Sequence, residues 1–200
     1  MQREAGRNDR RSRIAHLAAR LMAEDGIEDY ALAKRKAARQ AGMGDTRELP
    51  TNEEIDAALK AYQNLYHPDE YRDRLRELRG IAVRAMRELA SFNPHLTGSV
   101  LNGSAGKYAD VNLQLFTDDE KAVELYLIDR GIRYRAAQSR LYAGTELRVF
   151  PVYIIDDEGA EIELTVLTTR DLRGPLKTSL EGRNIERAKL EAVESLLAES

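Results

Sequence analysis

The sequence predicts an α+β fold, an N-terminal helical region followed by a mixed β-sheet domain with helices on one face. Apolar residues recur at three-to-four spacing from Ile14 to about Phe92, whereas several stretches after Pro94 alternate polar and apolar with period two. The chain has 200 residues and 42% hydrophobic content, enough to bury a substantial core. The expected domains are residues 1–75, the helical region, and 76–200, the α/β domain with its C-terminal helix.

In "RSRIAHLAARLMAEDGIEDY", Ile14, Leu17, Ala18, Leu21 and Met22 form one apolar stripe, and Gly26 suits a helix C-terminus. This predicts a helix of about 12 residues. Ala31, Ala33, Ala37 and Ala38 repeat the pattern up to Gly42 in a second, basic helix. Thr51 with Glu54 three residues later has the spacing of a capping box, so a third helix starts at Asn52 and carries Ile55, Ala58, Leu59, Tyr62 and Leu65 on one side. Pro68, Asp69 and Glu70 suit the first turn of a fourth helix, which Gly80 is expected to kink or split.

Beyond Pro94, residues 109–116 alternate: Asp110, Asn112 and Gln114 take one face, Val111, Leu113 and Leu115 the other, as in a half-covered strand. Helical spacing returns from Ala122 to Ile128 and stops at Gly131. "RYRAAQS", "ELRVFPVYII" and "AEIELTVLT" are strand candidates, the last two joined by the hairpin turn "DDEG". Strands over 109–116, 146–155 and 161–167 are expected in one sheet. "GRNIERAKLEAVESLLAE" reads as a closing amphipathic helix.

The absence of cysteine excludes disulfides, thiolate zinc sites and a cysteine nucleophile. No apolar run reaches the roughly 18 to 20 residues of a membrane span, and the charged N-terminus argues against a secretory leader. The expected location is cytoplasmic. The net charge of −3 argues against non-specific nucleic-acid binding by the whole chain, although residues 1–50 hold 11 Lys/Arg against 8 Asp/Glu. His16, His67 and His95 have no metal-ligand spacing and receive no chemistry.

The stretch "LTGSVLNGSAGKYADVNLQLF" carries the functional signal. Glycine lets backbone approach a phosphate closely, N–H groups at a helix start favour anions, and the Ser99 hydroxyl can donate to a phosphate oxygen. Residues i and i+2 of a strand share a face, so Asp110 and Asn112 can act together on a cation. Glu163 is the preferred third carboxylate because apolar residues flank it in sequence, with Glu161 as runner-up. Lys107 is a candidate phosphate contact or a solvated loop lysine. Arg133, Arg135 and Arg140 either line a cleft or form the wet face of a sheet. A structural hairpin feeding an amphipathic strand has the same local pattern.

Gly98 and Ser99, ten intervening residues, then Asp110 and Asn112 resemble the nucleotidyltransferase superfamily, the fold of DNA polymerase beta and the minimal nucleotidyltransferases. Roughly residues 80–170 fit its order of helix, strand, Gly-Ser turn, carboxylate-bearing strand, helix and further strands. The resemblance implies transfer of a nucleoside monophosphate from Mg²⁺-bound NTP to an unknown acceptor, which would be a small molecule, RNA or protein. It also implies phosphate binding at Gly98, Ser99 and Lys107, with Asp110, Asn112 and Glu163 as metal and catalytic positions. Asn112 departs from the family's Asp or Glu and removes a negative charge, which raises the alternative of an inactive nucleotide- or partner-binding module of the same fold.

A second resemblance lies in "RIAHLAARLMAEDGIEDY" and "AKRKAARQAGM", which look like the opening of a tetracycline-repressor-type helix-turn-helix domain. Such a DNA-binding regulator would continue into a base-reading helix rich in Ser, Thr, Tyr and Arg. Here "GDTRELPTNEEIDAAL" is acidic, which argues against DNA binding.

Overall fold

The structure is a computed structural model and describes residues 2–27, 29–44, 49–66, 68–180 and 182–199. His67 and residues 45–48 of the acidic continuation lie outside them. The fold is α+β, with helices first and a mixed sheet after them. Contacts group the chain into two compact units: Met1–Arg74 with Gly103–Ala109, and Leu75–Asn102 with Asp110–Ser200. Among the described residues, no helix is long and apolar enough to cross a membrane.

The helical unit contains α1 (Gln2–Asp25), α2 (Tyr30–Gln40) and α3 (Asn52–Tyr66). Helix α1 spans 24 residues, about twice what its apolar stripe predicts. Arg, Glu and Ala favour helix without needing burial, and no proline interrupts the polar N-terminal half. Arg11, within that polar half, donates from Nη2 to both carboxylate oxygens of Glu54 at 2.8 Å. The capping box at α3 forms as expected: Glu54 N–H donates to Thr51 Oγ1 at 3.2 Å, and Thr51 N–H to Glu54 Oε2 at 2.7 Å. Ile14, Ala18, Ala33, Ala37 and Ile55 are buried in one core, where small alanines let the helices approach closely. Residues 103–109 belong to this unit: Tyr71 donates to the Gly103 carbonyl, Gln63 to that of Ala105 at 3.3 Å, and Arg74 to that of Lys107 at 3.2 Å.

Helix α4 (Pro68–Glu88) starts at Pro68 and continues through Gly80 as one helix, without a split. One glycine costs only about 1 kcal/mol in a helix. Buried Arg79, one residue earlier, donates to the carbonyls of Val100 at 3.4 Å and Leu196 at 3.1 Å.

The sheet unit holds β1 (His95–Thr97), α5 (Gly98–Asn102), β2 (Val111–Phe116), α6 (Glu120–Asp129), β3 (Tyr134–Ala143), β4 (Glu146–Asp157), β5 (Ala160–Leu167), β6 (Leu176–Lys177) and α7 (Leu190–Ala198). The sheet order is β1-β2-β5-β4-β3-β6. All pairs are antiparallel except β2 with β5. Register puts Leu96, Leu113, Leu164 and Tyr153 side by side on one face, all buried. Helix α6 contacts β5 and α7 contacts β1.

The opposite face has two ends. At one, Phe116, Leu141, Phe150, Leu167 and Leu176 form a second apolar cluster. This end covers Gln114, so β2 is not the half-covered strand that its alternation suggests. Arg187 is the cover: its Nε donates to Gln114 Oε1 at 2.6 Å, its Nη1 reaches the carbonyls of Asp171, Leu172 and Gly174 at 3.3 Å, and its guanidinium lies 5.2 Å from the Phe116 ring centre. The same contacts explain a second correction. Helix α7 begins only at Leu190, not at residue 182, because the backbone before it is engaged elsewhere. Ile185 N–H donates to Leu176, and Ala188 exchanges two backbone hydrogen bonds with Leu96 at 2.9 Å. The two-residue β6 has no periodic signature in the sequence.

The β4–β5 turn has Glu158 at φ 46° and Gly159 at φ 85°. Both central positions are left-handed, which suits Asn-Gly better than Glu-Gly. Glu158 pairs with Arg84 on the surface, an interaction of small worth. Glu158→Asn should therefore stabilise the chain by about 0.5 to 1 kcal/mol, since relief of left-handed strain outweighs the lost ion pair. Urea denaturation reads this as a higher midpoint at unchanged slope.

Candidate functional site

The other end of that face is open and polar. Strand β1 ends at Thr97, and Gly98 takes φ +74°, a conformation that favours glycine. The turn brings Gly98 against β2: a Cβ there would stand 3.6 Å from Asn112 Nδ2 and 3.7 Å from its Cβ. Half-exposed Ser99 follows in the first turn of α5, where N–H groups lack helical acceptors. The glycine turn therefore does not close a tight hairpin. Strands β1 and β2 are antiparallel neighbours, but the chain between them forms α5 and then residues 103–109.

Asn112 pairs with Thr97 on one side and with Glu163 on the other, and Glu163 pairs with Ile154, which pairs with Arg135. These five residues form one row across the polar face. Asp110 is half-exposed just before β2, and its carbonyl accepts a long 3.4 Å hydrogen bond from Asn112 Nδ2. It precedes Val111 as Glu161 precedes Ile162, at the point where the β2–β5 pairing begins.

The two glutamates of β5 differ. Glu161 is ion-paired with Arg135, which reaches it diagonally across β4. Glu163 is half-buried, and that burial raises its carboxyl above the ordinary value of 4.5. The Glu161 charge raises it further, and Arg135 opposes both. Among the described residues, no group of three or more His, Asp or Glu side chains is placed to hold a metal ion. Asn112 stands against the Gly98 turn, Glu163 is its register neighbour on β5, and Asp110 lies two residues before it in the chain.

No protein-family model matches the chain, and no curated protein matches it either.

The sequence-derived positions divide accordingly. Gly98, Asn112 and Glu163 come together around β2, with Ser99 and Asp110 at the adjoining chain ends. Lys107 is exposed in the segment that belongs to the helical unit, its ammonium 5.4 Å from the Tyr108 ring centre. Thr97 went unnoticed because a three-residue strand shows no periodicity; its only signal is its place before Gly98. Of the three arginines considered, Arg135 is the one whose partner lies on β5.

Because the folded-state pKa of Glu163 is raised, the stability linked to this group is fully present below its unfolded value. It is lost as pH rises through the folded value. Glu163→Gln should accordingly raise the melting temperature at pH 7, and the gain should shrink to nothing as pH falls below about 4.5. Paired thermal melts across this pH range provide the measurement.

Proposed function

We propose that the sheet unit is a nucleotidyltransferase-like module that binds an NTP with Mg²⁺ and transfers its nucleoside monophosphate to an acceptor. The acceptor class, small molecule, RNA or protein, is open. The observation that carries this reading is the lateral pairing of Asn112 with Glu163 next to the left-handed Gly98 turn. The sequence resemblance calls for these groups, and Asn112 and Glu163 are register neighbours on one sheet face.

In this reading, the Ser99 hydroxyl and the N–H groups of the first α5 turn donate to phosphate oxygens. Asp110, Glu163 and the Asn112 amide oxygen hold the cation. Two carboxylates and an amide suit one Mg²⁺, which takes its remaining ligands from phosphates and water, but fall short of a carboxylate-rich two-ion site. Bound there, the ion would neutralise phosphate charge and polarise the phosphoryl oxygen. Arg135 keeps Glu161 paired and outside this set. Half-burial of Glu163 strengthens its attraction for a cation because less water screens it.

Asn112 itself favours a second reading, a nucleotide-binding module that no longer turns over. The DNA-binding alternative gains no support, since the first turn of α3 carries Glu53 and Glu54.

Calorimetric titration with Mg²⁺ and each NTP tests binding, and release of pyrophosphate separates transfer from binding alone. A hydrogen bond to a charged group contributes about 1 to 3 kcal/mol, so Ser99→Ala should weaken NTP binding roughly five- to 150-fold. Folding should hardly change. Asn112→Asp should tighten Mg²⁺ binding by restoring a carboxylate on the same face. Unchanged affinity in both variants would remove nucleotide and cation from this cleft.

A further inference from the structure

The sheet ends on an open strand edge. Strand β3 pairs with β4 along its whole length on one side, but on its outer side β6 pairs only with Tyr142 and Ala143. Among the described residues, no strand lies beyond residues 134–141, so every second residue there presents its backbone N–H and C=O outward. Sheet edges are ordinarily blunted by lysine, proline, a bulge or a covering segment. This edge has none of them. The β3–β4 register runs without a bulge, Arg135, Ala136, Ala137, Gln138 and Arg140 are all exposed, and residues 136–139 are uncharged. Arg135 is held by Glu161 across β4, and alternation puts Arg140 on the opposite face.

Two exposed apolar patches flank the same strand, on the sheet face that carries Tyr153. Residues 130–133 alone separate α6 from β3, and Tyr134 donates to Glu124 of α6 at 2.8 Å. Ile128, one turn beyond Glu124, and Leu125 stay more than half exposed at that end. At the other end, Leu147 and Val149 of β4, in register with Tyr142 and Arg140, are about half exposed.

We propose that β3 pairs with β3 of a second copy, antiparallel about a two-fold axis at Ala137, and joins the two sheets into one. The strand is self-complementary in this register: Ala137 meets itself, Ala136 meets Gln138, Arg135 meets Ser139, and Tyr134 meets Arg140, a ring beside a cation. No two arginines are opposed. The same axis turns the Ile128 patch of each copy toward the Val149 patch of the other across the paired strands, whereas an added peptide strand would leave both patches bare. That reciprocal cover selects a second copy as the occupant. The row from Thr97 to Arg135 lies on the opposite face, so the inference is independent of the function proposed for it.

Sedimentation equilibrium of the full chain should show monomer and dimer in exchange at micromolar concentration. Ala137→Lys should weaken the dimer about tenfold or more, because it opposes two like charges on the axis. The chain has no cysteine, so Ala137→Cys introduces a single thiol. Mild oxidation should link two copies through it, whereas Ala136→Cys, opposed to Gln138, should link poorly. Both positions are exposed, and unchanged melting temperatures would confirm that the variants fold. A chain that stays monomeric up to millimolar concentration, a dimer insensitive to Ala137→Lys, or equal linking at positions 136 and 137 overturns the proposal.

Discussion

The sheet unit depends on the parallel register between β2 and β5. Strand side chains alternate faces, so a one-residue slip between them would carry Leu113 out and Asn112 into the core, or Leu164 out and Glu163 in. A half-buried carboxylate with a raised pKa already marks the limit of what this face tolerates. Moving it into the fully buried layer would demand a partner that the apolar face does not contain. The same alternation that separates apolar from polar residues therefore places Asn112 beside Glu163, and stability and site geometry share one cause.

The polar face is divided by Arg187. Its guanidinium gathers a side-chain amide, three carbonyls and an aromatic ring at the covered end, and burial pulls its pKa down while the Asp171 charge opposes this. Nearby His95, 4% exposed, is also held below its ordinary value by burial, although its Nδ1 donates to the Asn93 carbonyl. Positive charge near the covered end is structural, whereas the open end is acidic: Asp110, Glu161 and Glu163, offset mainly by Arg135. One face thus carries a packed half and a chemically available half.

Much of this was readable from the chain alone, for identifiable reasons. Thr51 and Glu54 located the start of α3 because a capping box is a local device, and "DDEG" located the β4–β5 turn because turn chemistry is local too. The β2 and β5 strands were visible through period two, and the positions singled out there, Asn112 and Glu163, proved to be neighbours. What the sequence hid was non-local. Gln114 looked solvent-facing until Arg187 arrived from 73 residues away, and residues 182–189 looked helical until their backbone paired with Leu96 and Leu176.

The connections in the sheet also set an order of assembly. Strands β3, β4 and β5 are linked by two tight turns, so their pairing closes short loops. The β2–β5 pairing must close a loop of about fifty residues, at greater entropic cost. Loop-closure entropy thus favours pairing of the three-stranded meander before β2 joins its edge, which would bring Asn112 to Glu163 late. In that order the seam carrying the cleft is the expected first point of opening, with the hairpins still protecting their amide hydrogens from exchange.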